Sequence, residues 1–278
     1  MAGKRSLWSK ILEWLIIAST VFLHWIPYYF VVVTACKGKL EAARLDLALP
    51  TKLELWENVE HVLTFSKGLF LKSFWISVRL TVFTIAILVI VSSMTAYIMQ
   101  RKKTGIAVAS DKLILAGLIV PASVIPTYWM LTLLGVANTL PGLILVEVAL
   151  LFPFAVMMYK GFIASLPREL DEAAVIDGCG PFRLFWNIIF PLTKPITMTV
   201  VILRSIVVYN DYQNPQYFMS GAQTQTVQLC VYVFKSSFTA HNGHLMAAVI
   251  IVSLPLLIMF LFLNKYMMEG MTAGAVKG

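Results

Sequence analysis

Six stretches of this chain are predominantly apolar over about the length of a bilayer crossing: 11–35, 74–99, 113–134, 140–162, 188–209 and 245–266. A helix needs about 20 such residues to cross a hydrocarbon core. No water reaches the backbone there, so every N–H and C=O must bond within the segment, and such stretches are driven into helices. The expected fold class is all-α, a polytopic membrane protein with six transmembrane helices. Composition agrees, since 59% of the 278 residues are hydrophobic and 13% are charged, against about half and about a quarter in soluble domains. The net charge of +8 does not point to nucleic acid. The Lys and Arg residues sit in short clusters beside apolar runs, as the positive-inside rule requires.

The N-terminus is basic (Lys4, Arg5, Lys10), but the apolar run that follows is too long for a signal peptide and lacks a small-x-small cleavage site. It reads as a retained first span. The chain then divides into 1–36 (start and first span), 37–72 (a polar extracytoplasmic segment), 73–267 (a core of five spans) and a tail, 268–278. Within the core, 164–187 is a polar interruption, and a second one, 210–243, precedes the sixth span. Lys4, Arg5, Lys10, Arg101, Lys102, Lys103, Lys112, Lys160, Arg168, Arg183, Lys265 and Lys277 fall on one side. Lys37, Lys39, Arg44, Lys52, Lys67, Lys72 and Lys235 fall on the other. The first set is larger and hugs the span ends, so both termini and the 164–187 interruption are expected in the cytoplasm. Prolines 27, 121, 126, 191 and 195 mark kinks inside or at the start of spans.

The interruption has the most pattern. Pro167 suits a first helical turn. Glu169, Asp171 and Glu172 put negative charge where the helix dipole favours it. Leu166, Leu170, Ala173, Ala174 and Ile176 make a small apolar face. Gly178 is a natural stop, and Pro181 opens a second short helix, 182–189, which Pro191 ends or kinks. The pattern fits both a docking element for a partner and an amphipathic helix lying on lipid.

Glu172-Ala173-Ala174, then Gly178, Ile188 and Pro191, resemble the EAA motif of binding-protein-dependent ABC importers, E-A-A-x3-G-x9-I-x-L-P, with Phe190 in place of Leu. Ile125-Pro126, Gly142-Leu143-Ile144-Leu145, Leu166-Pro167-Arg168-Glu169-Leu170, Lys194-Pro195 and Asn210-Asp211 are similar to the carbohydrate branch of these permeases, and 271–278 resembles the tail of the MalG-like half. Tyr209 stands where that branch often has Trp. The resemblance implies a type I importer permease fold in a bacterial inner membrane, with the EAA loop at about 164–191. It also implies a second homologous permease subunit, two cytoplasmic ATP-binding subunits and an extracytoplasmic solute-binding protein, with a sugar or oligosaccharide as cargo. Glu172, Ala173, Ala174, Asp177, Gly178, Ile188 and Pro191 become the ATPase-coupling positions. The sequence holds no Walker A motif. The chain is therefore expected to be no enzyme and to bind no cofactor, with ATP and Mg on the partner subunits.

Charged residues inside spans are costly and usually face a bundle interior or a water path. Glu147 and Arg204 are candidates to line the path of a polar, even acidic, sugar, with Asn210, Asp211 and Tyr128 beside them; a structural ion pair between packed helices fits equally. Arg79, near a span end, fits snorkelling. Cys36, Cys179 and Cys230 lack metal-ligand spacing, and His24, His61, His241 and His244 show no triad or metal arrangement. His241 and His244 read as flanking an external turn. An ion-driven secondary transporter, a membrane-embedded enzyme and an ABC permease for a non-sugar solute are the rivals. The first two leave the EAA spacing unexplained.

Overall fold

A computed structural model describes residues 7–102, 104–119, 121–219, 221, 225–236 and 241–275. Lys4, Arg5, Lys103 and Lys277 of the charge pattern, and 276–278 of the tail, lie outside the described residues. The elements are α1 (Leu7–Ala35), α2 (Lys39–Ala42), α3 (Leu55–Arg101), α4 (Gly105–Ile119), α5 (Val124–Leu133), α6 (Leu140–Ile163), α7 (Glu169–Ile176) and α8 (Pro181–Leu184). A π-helical turn (Phe185–Ile189) follows, then α9 (Phe190–Leu192), α10 (Lys194–Asn210), α11 (Gln213–Phe218), α12 (Val227–Ser236) and α13 (Asn242–Ala275). The described residues are all-α.

Among the described residues, four helices are long and apolar enough to cross a bilayer, and a fifth span is available if the bent pair Pro181–Leu192 and Lys194–Asn210 counts as one. Six unbroken spans are not what forms. The stretch 113–134 is split between α4 and α5, because the residue before a proline is driven out of the helical region and Pro121 has no N–H to donate. Pro126 does not kink a helix. It lies in the first turn of α5, where a missing N–H costs nothing. The stretch 188–209 bends by 73° around Thr193. The second short helix is not plain α either: the turn before Pro191 widens to π over Phe185–Ile189, which makes room for a ring that would otherwise meet a carbonyl one turn back.

The polar segments are also more structured than their composition suggests. The 37–72 stretch contains α2 and the start of α3. Within α3, residues 65–68 leave helical geometry, with positive φ at Ser66, Lys67 and Gly68. The 210–243 stretch contains α11 and α12, which bury Phe218, Val227 and Cys230. Short apolar runs among polar residues are too brief to register as spans, yet they pack.

The chain forms two compact units. One comprises Met1–Leu71 and Cys230–Ser253. In it, the C-terminal carbonyls of α1 are closed by Asn58, whose Nδ2 donates to Ala35 O (2.8 Å) and Lys37 O (3.0 Å). Lys37 is buried and its Nζ donates to Asp46 O (2.8 Å) and Oδ1 (2.5 Å). Asn242 Nδ2 donates to Ala42 O at 3.1 Å, so the start of α13 is sewn to α2. His241 and His244 do not flank a loose turn. Their rings stack at 4.1 Å, and His244 stacks on His61 at 3.8 Å, so three of the four histidines form a column. Among the described residues, no group of three or more His, Cys, Asp or Glu is placed to hold a metal.

The other unit comprises Lys72–Leu229 and Leu254–Gly278. Apolar burial drives little helix association in lipid, so small residues that permit close packing carry it instead. On α3, Ser77, Thr81, Thr84, Leu88 and Ser92 recur at helical spacing and are all buried. Leu88 belongs to a core with Leu143, Val156, Tyr159, Ile163 and Val200 from α6 and α10. Thr139 caps α6, accepting from Gly142 N at 3.2 Å. A side chain at Gly142 would meet Val136 O at 2.1 Å, so only glycine lets the preceding loop close on this helix.

Candidate functional site

The loop between α6 and α10 is built around α7. Arg168, not Pro167, is its N-terminal flank: Asp171 N and Glu172 N both donate to Arg168 O, at 2.9 and 3.2 Å. Its end is a Schellman motif. Gly178 sits at φ +76°, Gly178 N donates to Val175 O (3.0 Å) and Cys179 N to Ala174 O (2.9 Å). That backbone region is easy for glycine and strained for other residues. Pro181 then opens α8 with Gly180 before it.

The motif residues separate by face. Ala174 is buried with Leu184, Phe185 and Ile189, and Ile188 packs against this small core. Glu172, Ala173, Asp177 and Gly178 are exposed, as is Pro191. Three and four residues after Glu172 on α7, Val175 and Ile176 are exposed by 64% and 85%, and Phe182 on α8 is exposed by 68%. The result is a carboxylate set in an apolar patch. A cleft of about 440 Å³ runs past Glu172, Val175, Pro181 and Leu184, with Tyr97 and Arg101 as its wall on the α3 side.

Those last two residues were not evident from the sequence as part of the site. Tyr97 Oη donates to Asp171 Oδ1 at 2.6 Å. Arg101 Nη2 pairs with Asp171 Oδ2 at 2.9 Å and donates to Leu166 O at 3.2 Å. Arg168 reaches back to Gln100 O at 3.4 Å. Asp171 had read as one of three first-turn acids and Arg101 as one of a basic cluster. Nothing in the local pattern distinguishes these two from their neighbours.

Of the residues placed along the path, Glu147 and Asp211 come together, whereas Tyr128, Asn210 and Arg204 each have other neighbours. Glu147 is buried at 2% exposure and accepts from Asn214 Nδ2 at 3.1 Å. It also faces the carboxyl of Asp211. Asp211 Oδ1 accepts from Gln213 N (2.7 Å) and Asn214 N (3.3 Å), which starts α11. Asn210 accepts from Gln228 Nε2 at 3.0 Å. Tyr128 Oη accepts from Asn138 Nδ2 at 3.0 Å. Arg204 lies over the Phe154 ring, 3.9 Å from its centre. Among the described residues, then, no ion pair joins Glu147 and Arg204: the arginine found an aromatic face and the carboxyl found an amide. Arg79 is exposed, with Nε donating to Trp75 O at 3.2 Å.

Residues 110–272 match the family described as binding-protein-dependent transport system inner membrane component. The chain belongs to that family. Over 95% of both chains it is 34% identical to the melibiose/raffinose/stachyose import permease protein MelC of Bacillus subtilis. It is 33% identical, over 92% of its length and 93% of the relative's, to the probable starch degradation products transport system permease protein AmyC of Thermoanaerobacterium thermosulfurigenes. Its fold is similar to a chain of a bacterial ABC transporter involved in the import of the acidic polysaccharide alginate, with a TM-score of 0.83 at 17% identity, over 96% of this chain and 99% of that one. The chain is therefore a multi-pass ABC import permease of the inner membrane. The EAA spacing in the sequence and the family match agree on this point. A permease family, with relatives such as MelC and AmyC named as permeases, is not an enzyme family.

Proposed function

We propose that this chain is one of two homologous permease subunits in an ATP-driven importer of a sugar or oligosaccharide, opened and closed by two cytoplasmic ATP-binding subunits that dock on the Glu172–Gly178 loop. The observation that carries the docking role is the exposed set of Glu172, Val175 and Ile176 on a short helix held in place by its buried Ala174. A loop that merely rested on lipid would have no use for a carboxylate set within its apolar face, since burying a charge beside lipid costs energy. Counting α4 with α5, and α8 to α10, as broken crossings makes six passages and puts both termini on the loop's side, the cytoplasm. Such breaks are tolerated in membranes where neighbouring protein satisfies the freed backbone groups. Nucleotide and Mg belong to the partner subunits. A solute-binding protein delivers the cargo on the other side. The cargo class rests on the relatives, which carry melibiose, raffinose, stachyose and starch degradation products in their names.

The test is purification of the tagged chain from mild detergent, followed by reconstitution with the encoded binding protein. Recovery of a second permease and an ATPase subunit, with ATP-dependent oligosaccharide uptake, is the expected result. A lone chain with ion-gradient-driven uptake would refute the reading.

A further inference from the structure

From the contacts that α7 makes with the end of α3, we infer that Tyr97, Asp171 and Arg101 form a clamp that transmits movement of the docking loop into the membrane span; this rests on the coupling role proposed above. Covalently, α7 is joined to α6 by the residues 164–168 and to α10 through the bent segment at Thr193. Both connections contain non-helical residues and can give. The clamp adds a third link, to the last turn of α3, and it is the shortest one.

Its geometry suits that role. Asp171 accepts a hydrogen bond from Tyr97 Oη at one oxygen (2.6 Å) and forms an ion pair with Arg101 Nη2 through the other (2.9 Å), which takes no hydrogen bond, so turning the carboxyl breaks the Tyr97 bond and separates the ion pair. The Arg101 and Asp171 side chains are 11% and 18% exposed, and charge-assisted bonds are stronger when shielded from water. Arg101 also holds Leu166 O and Pro167 O, which brings the start of the loop into the same knot. The Tyr97 ring lies 5.6 Å from Phe185, so one α3 residue touches both α7 and the π-helical turn. Asp171 sits one residue before Glu172. The docking carboxylate and the clamped carboxylate are therefore neighbours on one helical turn, facing outward and inward. Tyr97, Asp171 and Arg101 are positioning residues.

The experiment measures solute imported per ATP hydrolysed in the reconstituted complex for Tyr97→Phe, Asp171→Asn and the double variant. Tyr97→Phe removes the hydrogen-bonded arm, and Asp171→Asn removes the negative charge that pairs with Arg101. Each single variant is expected to co-purify with its ATPase subunits and to import about tenfold less per ATP. The double variant should lose no more than the worse single one, because both arms act through one carboxyl. Unchanged solute per ATP in both single variants would overturn the clamp, and so would loss of the ATPase subunits from both. A Gly178→Asp control separates the two levels. Normal uptake in that control would strike at the coupling role itself, whereas failed uptake there with normal clamp variants would strike at the clamp alone.

Discussion

At the residue scale, the polar side chains of the spans divide into those that hold structure and those free to meet a ligand. Glu147 is in the first group: it is buried, and Asn214 is its partner. Removing one member of a buried hydrogen-bonded pair strands the other, at about 1–3 kcal/mol. Glu147→Ala is expected to lower the thermal unfolding midpoint of the purified complex, with Glu147→Gln much milder because an amide can still meet Asn214. Arg204 is in the second group, half-buried over Phe154 and without an acidic partner among the described residues. Arg204→Gln is expected to reduce uptake of an acidic oligosaccharide severalfold at unchanged assembly. Unaltered uptake would remove Arg204 from the path. Gly178 carries a different kind of prediction. Nothing lies within 4 Å of where its side chain would be, so the cost of Gly178→Asp is backbone strain of about 1 kcal/mol. The variant should fold and reach the membrane, while uptake falls at least tenfold because a new charge stands beside Glu172 on the docking face.

At the element scale, the column of His241, His244 and His61 joins the start of α13 to α3. Burial holds the His241 imidazole below its ordinary value, Lys39 adds to the effect and Glu54 opposes it. A histidine with a depressed folded value favours the neutral form in the fold. The unfolded chain takes up its proton near pH 6.5, so the stability His241 contributes is present above that point and lost as pH falls through it. The unfolding midpoint is expected to hold steady down to about pH 7 and then to fall as pH drops below the unfolded value of about 6.5, and His241→Gln should flatten the decline. An unchanged slope in that variant would place the acid sensitivity elsewhere, with Asp46 as a poor alternative because Lys37 holds its carboxyl below the usual range. The same scale shows where sequence reading was good and where it was not. Pro181 and Gly178 act as start and stop signals as their residue types require. The breaks at residues 121–123 and at Thr193 are legible from the nearby prolines, but not as the end of one helix and the start of another. A proline signals strain, and whether the helix kinks or stops depends on what packs beside it.

At the scale of the whole molecule, the sequence alone determined that the chain is an all-α membrane protein, where its long apolar helices run, and which loop carries the EAA spacing. These properties are local or periodic: hydrophobic length, charge clusters and fixed intervals survive without knowledge of any partner. Only the tertiary structure decided that Asp171 meets Tyr97, 74 residues away, that Glu147 turns to Asn214, 67 residues away, and that Arg204 chose Phe154 over a carboxylate. A buried polar group takes whichever partner packing brings within about 3 Å. That choice is made by the crossing of helices, and no interval along the chain encodes it.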